Sequence, residues 1–175
     1  LEVELATVAG EGTTVERYSD GEFLVAALEG YLNIDEQGKI SIGNKIVSRE
    51  GVSSRTTGNL KLRAAYEEYG EVQEQRQLDG SDITIHGHVY GRLHSQGGTI
   101  VLHSNLVGGT AVSEQGDIRV DGVASGAVVQ TRNGEVRLQR AESCVISGTR
   151  VVIEHASNCD IIADEVIIEM ALGCA

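Results

Sequence analysis

Two histidines and an aspartate carry the most chemically suggestive spacing in this 175-residue chain. His86 and His103 occupy the same slot in successive sequence units, Asp121 and Gln139 follow in the next two, and His88 lies two residues from His86 on what alternation makes the same strand face. Two imidazoles and a carboxylate one repeat apart are donors that a divalent metal takes, provided they converge to within about 2 Å of the ion. Side chains held in register point parallel rather than inward on a common point, so the same pattern also reads as an exposed polar ladder. That second reading is favoured, and neither a metal nor a cofactor is expected.

Other catalytic patterns are thin. Asp117 with Asp121, and Asp160 with Asp164, are four residues apart, which is not a same-face spacing for two cooperating acids on one strand and fits turn residues better. Gly122-Val-Ala-Ser125-Gly126 lacks the Gly-x-Ser-x-Gly pattern that exposes a nucleophilic serine. Cys144, Cys159 and Cys174 are equally spaced and far from a paired zinc-binding pattern, so they read as an interior ladder of small apolar side chains. No catalytic residue is expected.

The elements that must position these side chains are repeats. Asp82-Ile-Thr-Ile85, Thr99-Ile-Val-Leu102, Asp117-Ile-Arg-Val120 and Glu135-Val-Arg-Leu138 recur in phase at 17 or 18 residues; Gly91, Gly108 and Gly126 keep the same phase, with Cys144 in the fourth slot. Beyond them the period tightens to 15, with Val151-Val-Ile153 matching Val166-Ile-Ile168. Such a unit is too short for two helices, and Ile-x-Ile alternation is the strand period. A solenoid of parallel coils follows, with Ile83, Ile85, Ile100, Leu102, Ile118, Val120, Val136, Leu138, Ile153, Ile161 and Ile168 inside. A left-handed hexapeptide helix is the alternative, because Ile100, Leu106, Val112, Ile118 and Ala124 recur every six residues; it loses register at Gln130 and Glu142.

Residues 1–57 are strand-like without repeating, with a glycine-containing hairpin loop at Asp35-Glu-Gln-Gly38, and predict a small antiparallel β domain. Gly51 to Asn59 is a polar connector. Leu60 to Leu78 is rich in Glu, Gln and Arg, as a helix would be, yet Gly70 interrupts it; strand or irregular structure, as a first coil or cap within 58–81, is the reading preferred to a helix. Residues 82–175 form the solenoid. The chain starts without Met and stops two residues into what would be another repeat, so a fragment continuing in both directions is expected, truncated at the C-terminal end of the solenoid.

Composition agrees. Proline is absent, glycine numbers 22, and with one Phe, five Tyr and no Trp the core must be aliphatic. The formal charge of −12 is spread over both halves, which disfavours nucleic acid and anionic membrane as partners. No apolar run reaches the ~18 residues of a membrane span, and Leu1-Glu-Val-Glu-Leu5 is no signal peptide, so no integral membrane segment and a cytoplasmic location are expected. Along the ladders Arg150 should pair with Glu165, whereas Glu154 over Glu169 and Arg119 over Arg137 would repel unless a register shift or a partner relieves them.

The run Gly21-Glu-Phe-Leu-Val-Ala-Ala-Leu-Glu-Gly30, then Asp35-Glu-Gln-Gly-Lys-Ile-Ser-Ile42, then Gly51-Val-Ser-Ser-Arg-Thr-Thr-Gly-Asn59, followed by Asp-Ile-x-Val coils, resembles the flagellar assembly protein A family of bacteria. The resemblance spans essentially the whole chain; the coils are also similar to those of the C-terminal domain of the division-site inhibitor MinC and, more distantly, of bactofilins. It implies an all-β protein, a right-handed parallel β-helix of 15–18-residue coils preceded by a small β domain, tied in the cytoplasm to flagellation and the cell pole, with no established catalysis. The segment Lys61-Leu-Arg-Ala-Ala-Tyr-Glu-Glu-Tyr69 departs from the regular apolar-glycine coil of that pattern.

The function expected is therefore a non-catalytic scaffold or protein-docking module, with Val101, His103 and Val112 as outward contact candidates and a protein as partner. Two other classes stay open: a polysaccharide-active β-helix enzyme or acyltransferase, for which His86, His103 and Asp121 would have to line a metal-holding pocket, and a self-assembling β-helix that forms homo-oligomers by stacking. Against the first, 82–175 contains no Lys and only Tyr90 as an aromatic to stack on a sugar.

Overall fold

The computed structural model describes residues 10–19, 21–55 and 58–175, and every regular element among them is a strand. Leu1–Leu5, Asp20 and the Thr56-Thr57 pair of the connector lie outside the described residues. Among the described residues no helix is long and apolar enough to cross a membrane. The chain divides into two units, Leu1–Ile46 and Val47–Ala175.

In the first unit Thr13–Tyr18 pairs antiparallel with Gly21–Ala26, and Tyr31–Ile34 with Ile40–Gly43. The expected hairpin loop is present: Asp35 accepts hydrogen bonds from the backbone N–H of Gln37 and of Lys39 through one oxygen, both at 2.9 Å, and Gly38 takes a left-handed φ of 78°.

The second unit is a parallel β-solenoid. It already includes the connector, where Val52 is fully buried and bridges Val72, so the division falls before Val47 rather than near residue 57. The ambiguous stretch closes the first coil and forms the second: Leu60–Lys61, Ala65–Glu68 and Gln77–Gly80 are strands, Leu60–Lys61 pairing in parallel with Gln77–Gly80 one coil on, and the last two pairing with Ile83–Ile85 and Arg92–Ser95 of the third. Tertiary pairing overrides the helical composition there, because each coil edge offers a complete row of backbone partners.

Four inward apolar columns make most of the core, one of them Ile85, Leu102, Val120, Leu138 and Ile153. Ile83, Ile100, Ile118, Val136 and Val151 stack in register, as do Leu78, Leu93, Ala111, Val129 and Ile146, and then Val72, Val89, Leu106, Ala124, Ala141 and Ala156. All are buried, and each large aliphatic side chain removed from water contributes about 1.5–3 kcal/mol before entropy is counted. Ile161 and Ile168, expected inside, are half-buried, since they have a stacked neighbour on one side only. The hexapeptide reading fails at Val112: Ala111 and Ser113 point inward and Val112 outward.

The shortening from 18 to 15 residues has two local causes. One residue is lost at a bulge, where Val120 pairs with Leu138 but Val123 pairs with Arg140. Two more are lost at a turn, where Thr131-Arg-Asn-Gly-Glu135 becomes Gly148-Thr-Arg150 and the strand Val145–Ser157 runs through without a break. In the longer coils that turn is held from inside by hydroxyls. Ser95, Ser113 and Thr131 accept from the backbone N–H of Gly98, Gly116 and Gly134, and Ser113 and Thr131 donate to Gly98 O and Gly116 O of the coil before, at 3.0 and 2.7 Å.

The bulge also corrects the sequence alignment. Left-handed φ values run along Gly108, Gly126, Ser143, Asn158 and Gly173, so Ser143 and not Cys144 takes the glycine slot of the fourth unit. Cys144 and Cys159 fall one position later, buried in the interior as a small-residue ladder that continues from Ala127; burial pushes the Cys144 thiol above its ordinary pKa.

Candidate functional site

Strand alternation sends every second residue outward, and parallel register then builds continuous outer columns. One such column follows the first inward strand of each coil: Tyr69, His86, His103, Asp121, Gln139, Glu154 and Glu169. Beside it, two residues earlier in each coil, runs Glu67, Thr84, Val101, Arg119, Arg137, Val152 and Ile167. Together they form one wall of the solenoid.

The first half of this wall is a stack of rings. Tyr69 and His86 lie with centroids 4.2 Å apart and planes 4° from parallel, His86 and His103 at 4.7 Å and 27°, and the Arg49 guanidinium covers the free face of Tyr69 at 4.7 Å. Glu67 Oε1 accepts from His86 Nε2 at 2.8 Å and from Tyr69 Oη at 3.2 Å. His103 Nδ1 lies 2.9 Å from Asp121 Oδ2, whose other oxygen accepts from Arg119 Nε. Each ring is thus used by its neighbours, through stacking worth about 0.5–1.5 kcal/mol per aromatic pair.

His86, His103 and Asp121 are brought together, but as a ladder. Parallel ring planes direct the two imidazoles along the wall, and among the described residues no group of three or more His, Cys, Asp or Glu side chains is placed to hold a metal ion. His88 does not share their face: it lies past the end of the Ile83–Ile85 strand, 2.8 Å from Ser104 Oγ and edge-on to Tyr90. Val101 sits outward beside the rings and Val112 outward on another wall, following His94, whose Nδ1 is 3.1 Å and Nε2 3.5 Å from Asp79 and Glu114.

Sequence reasoning missed Arg49, Glu67 and Tyr69. The signal was present, since Tyr69 precedes His86 by the same 17 residues that separate His86 from His103. The charged ladders divide. Arg150 does pair with Glu165, at 3.1 Å. Arg119 and Arg137 are directly in register, and Asp121 and Glu135 neutralise them within their own strands.

Partial burial works against ionisation of Asp121, yet the Arg119 guanidinium and His103 outweigh it and hold the carboxyl below the usual aspartate range. A depressed folded-state pKa stabilises the fold above the unfolded value of about 3.9, and that contribution disappears as pH falls through the folded value. An NMR titration of the Asp121 side chain should therefore show a midpoint below that of a model aspartate, and Arg119→Ala should move it back up. An unchanged midpoint in Arg119→Ala would assign the shift elsewhere.

No family model, no curated protein and no solved structure matches this chain.

Proposed function

We propose that this chain is a non-catalytic scaffold or protein-docking module of the bacterial cytoplasm, serving flagellar assembly and organisation of the cell pole. The observation that carries the reading is the wall itself, a continuous, in-register outer surface from Tyr69 to Glu169 on a solenoid whose inward columns leave no freedom to shift one coil against the next. A rigid extended wall suits recognition of another protein. The acidic charge of −12 supports a protein over nucleic acid or an anionic bilayer. The link to flagella and the pole rests on the resemblance of sequence segments and coils alone.

The test is affinity capture from a flagellated bacterium with the wild-type chain and with a Val101→Glu/His103→Glu variant whose fold is verified by circular dichroism and size exclusion. Recovery of the same defined partner by the wild type, with its loss in the folded variant, is the expected result. Identical recovery by both chains would remove the wall from the binding surface.

A further inference from the structure

The second half of the wall differs from the first in one respect: its charges are not used up. Glu154 and Glu169 project from the same column, one coil apart, and the register on either side, Ile153 with Ile168 and His155 with Met170, contains no shift that could separate them. Among the described residues neither side chain has a hydrogen bond or ion pair, and neither does that of Gln139 before them. The cations of the neighbouring column are already engaged, Arg119 by Asp121 and Arg137 by Glu135. Two glutamates on strands about 4.8 Å apart, with neither paired to a cation, oppose the stacking that holds them.

These carboxylates line a trough of about 660 Å³ with Val152 and with Arg119 and Arg137, whose charges Asp121 and Glu135 already balance, and beside Val152 on the next coil lies Ile167, 40% exposed. Val152 and Glu154, like Ile167 and Glu169, are two residues apart on one strand, so the surface alternates aliphatic and acidic at the strand repeat. Resting on the docking reading, we infer that this end of the wall binds an extended segment of a partner protein that carries lysine or arginine next to aliphatic residues. One guanidinium or ammonium between Glu154 and Glu169 supplies the missing counter-charge, and an aliphatic side chain two residues along the partner strand covers Val152 and Ile167. A second copy of this wall has no unpaired cation to offer Glu154 and Glu169, because its Arg119 and Arg137 are held by Asp121 and Glu135. Nucleic acid and anionic lipid are repelled by the two carboxylates.

The test titrates the ¹⁵N-labelled chain with a synthetic peptide of alternating leucine and arginine, and with the same peptide carrying citrulline for arginine. Two charge-matched variants accompany the wild type, Glu154→Gln/Glu169→Gln and, on other surfaces, Glu74→Gln/Glu142→Gln. The arginine peptide should shift the amides of Val152, Glu154, Ile167 and Glu169 in the wild type and in the Glu74/Glu142 variant, and the citrulline peptide should not. The Glu154/Glu169 variant should bind about tenfold more weakly. It should also melt at a higher temperature than the wild type, because the repulsion is gone. Shifts dispersed over the acidic surface, or equal binding by the two variants, would overturn the site; a capture experiment that still finds a partner at Val101 and His103 would leave the docking reading standing without it.

Discussion

Replacing Glu68 by leucine is expected to destabilise the solenoid by about 3–5 kcal/mol, although the change swaps a buried acid for a core-forming residue. Glu68 is fully buried in the second coil. Its Oε1 accepts from the backbone N–H of Gly70 at 2.8 Å and of Gly51 at 3.1 Å, and its Oε2 from the Tyr66 hydroxyl at 2.6 Å. The two glycine amides belong to successive turns, so one side chain ties the second coil to the first. Leucine would take this acceptor from three donors, at about 1–3 kcal/mol for each that finds no other before relaxation, and the Tyr66 hydroxyl keeps Ser48 beside it. Tyr66 reinforces the point: burial, and then the adjacent Glu68, push its phenol pKa upward, so it stays a donor through the whole accessible pH range.

Urea denaturation should show the loss, and hydrogen exchange should locate it, with the Gly51 and Gly70 amides losing protection before those of the central coils. Adding Tyr66→Phe to Glu68→Leu removes a donor left with Ser48 alone and should recover no more than about 1 kcal/mol. A Glu68→Leu chain within about 1 kcal/mol of wild type, with Gly51 and Gly70 still protected, would mean that water or a local rearrangement replaces the acid, and the clamp would have no energetic role.

This clamp marks where the sequence stopped being legible. The repeats from Asp82 onward could be read because one aliphatic pattern returns at nearly constant spacing, and their inward residues are the ones buried, from Ile83 to Ile153. The second coil hides the same geometry under another composition: Tyr66 and Glu68 take the slots that Ile83 and Ile85 take next, and an acid in an inward slot has no apolar signature. The slot given to Cys144 went astray by one residue because a bulge on the preceding strand cannot be counted from spacing alone. For the wall, spacing identified His86, His103 and Asp121 as neighbours but could not supply the ring planes, and those planes separate a stack from a ligand set. Spacing also left open whether the like charges would shift apart; the pairing shows that they do not.

The in-register stack makes a second large effect predictable, because the turns of successive coils touch through backbone. At Gly116 a Cβ would overlap the carbonyl group of Gly98 on the coil before, an obstacle with no flexible end to swing aside. The same turn is held by Ser113, which accepts from Gly116 N–H at 2.9 Å, and its carbonyl is the acceptor for Thr131 on the coil after. Gly116→Ala must therefore displace the turn and loosen hydroxyl contacts in both directions, and a loss of about 2–4 kcal/mol is expected. Gly97, in the turn before, has open space where a Cβ would stand, and Gly97→Ala should change stability by no more than about 0.5 kcal/mol. Solenoid stability is a sum over adjacent coils, so the damage should also change cooperativity. With a weakened interface at mid-stack, the coils on either side should unfold in separate urea transitions, seen as two groups of amides with different exchange behaviour. A single transition at an unchanged midpoint for Gly116→Ala would show that the turns have room to move apart, and the rigidity on which the docking wall depends would have to come from the inward columns alone.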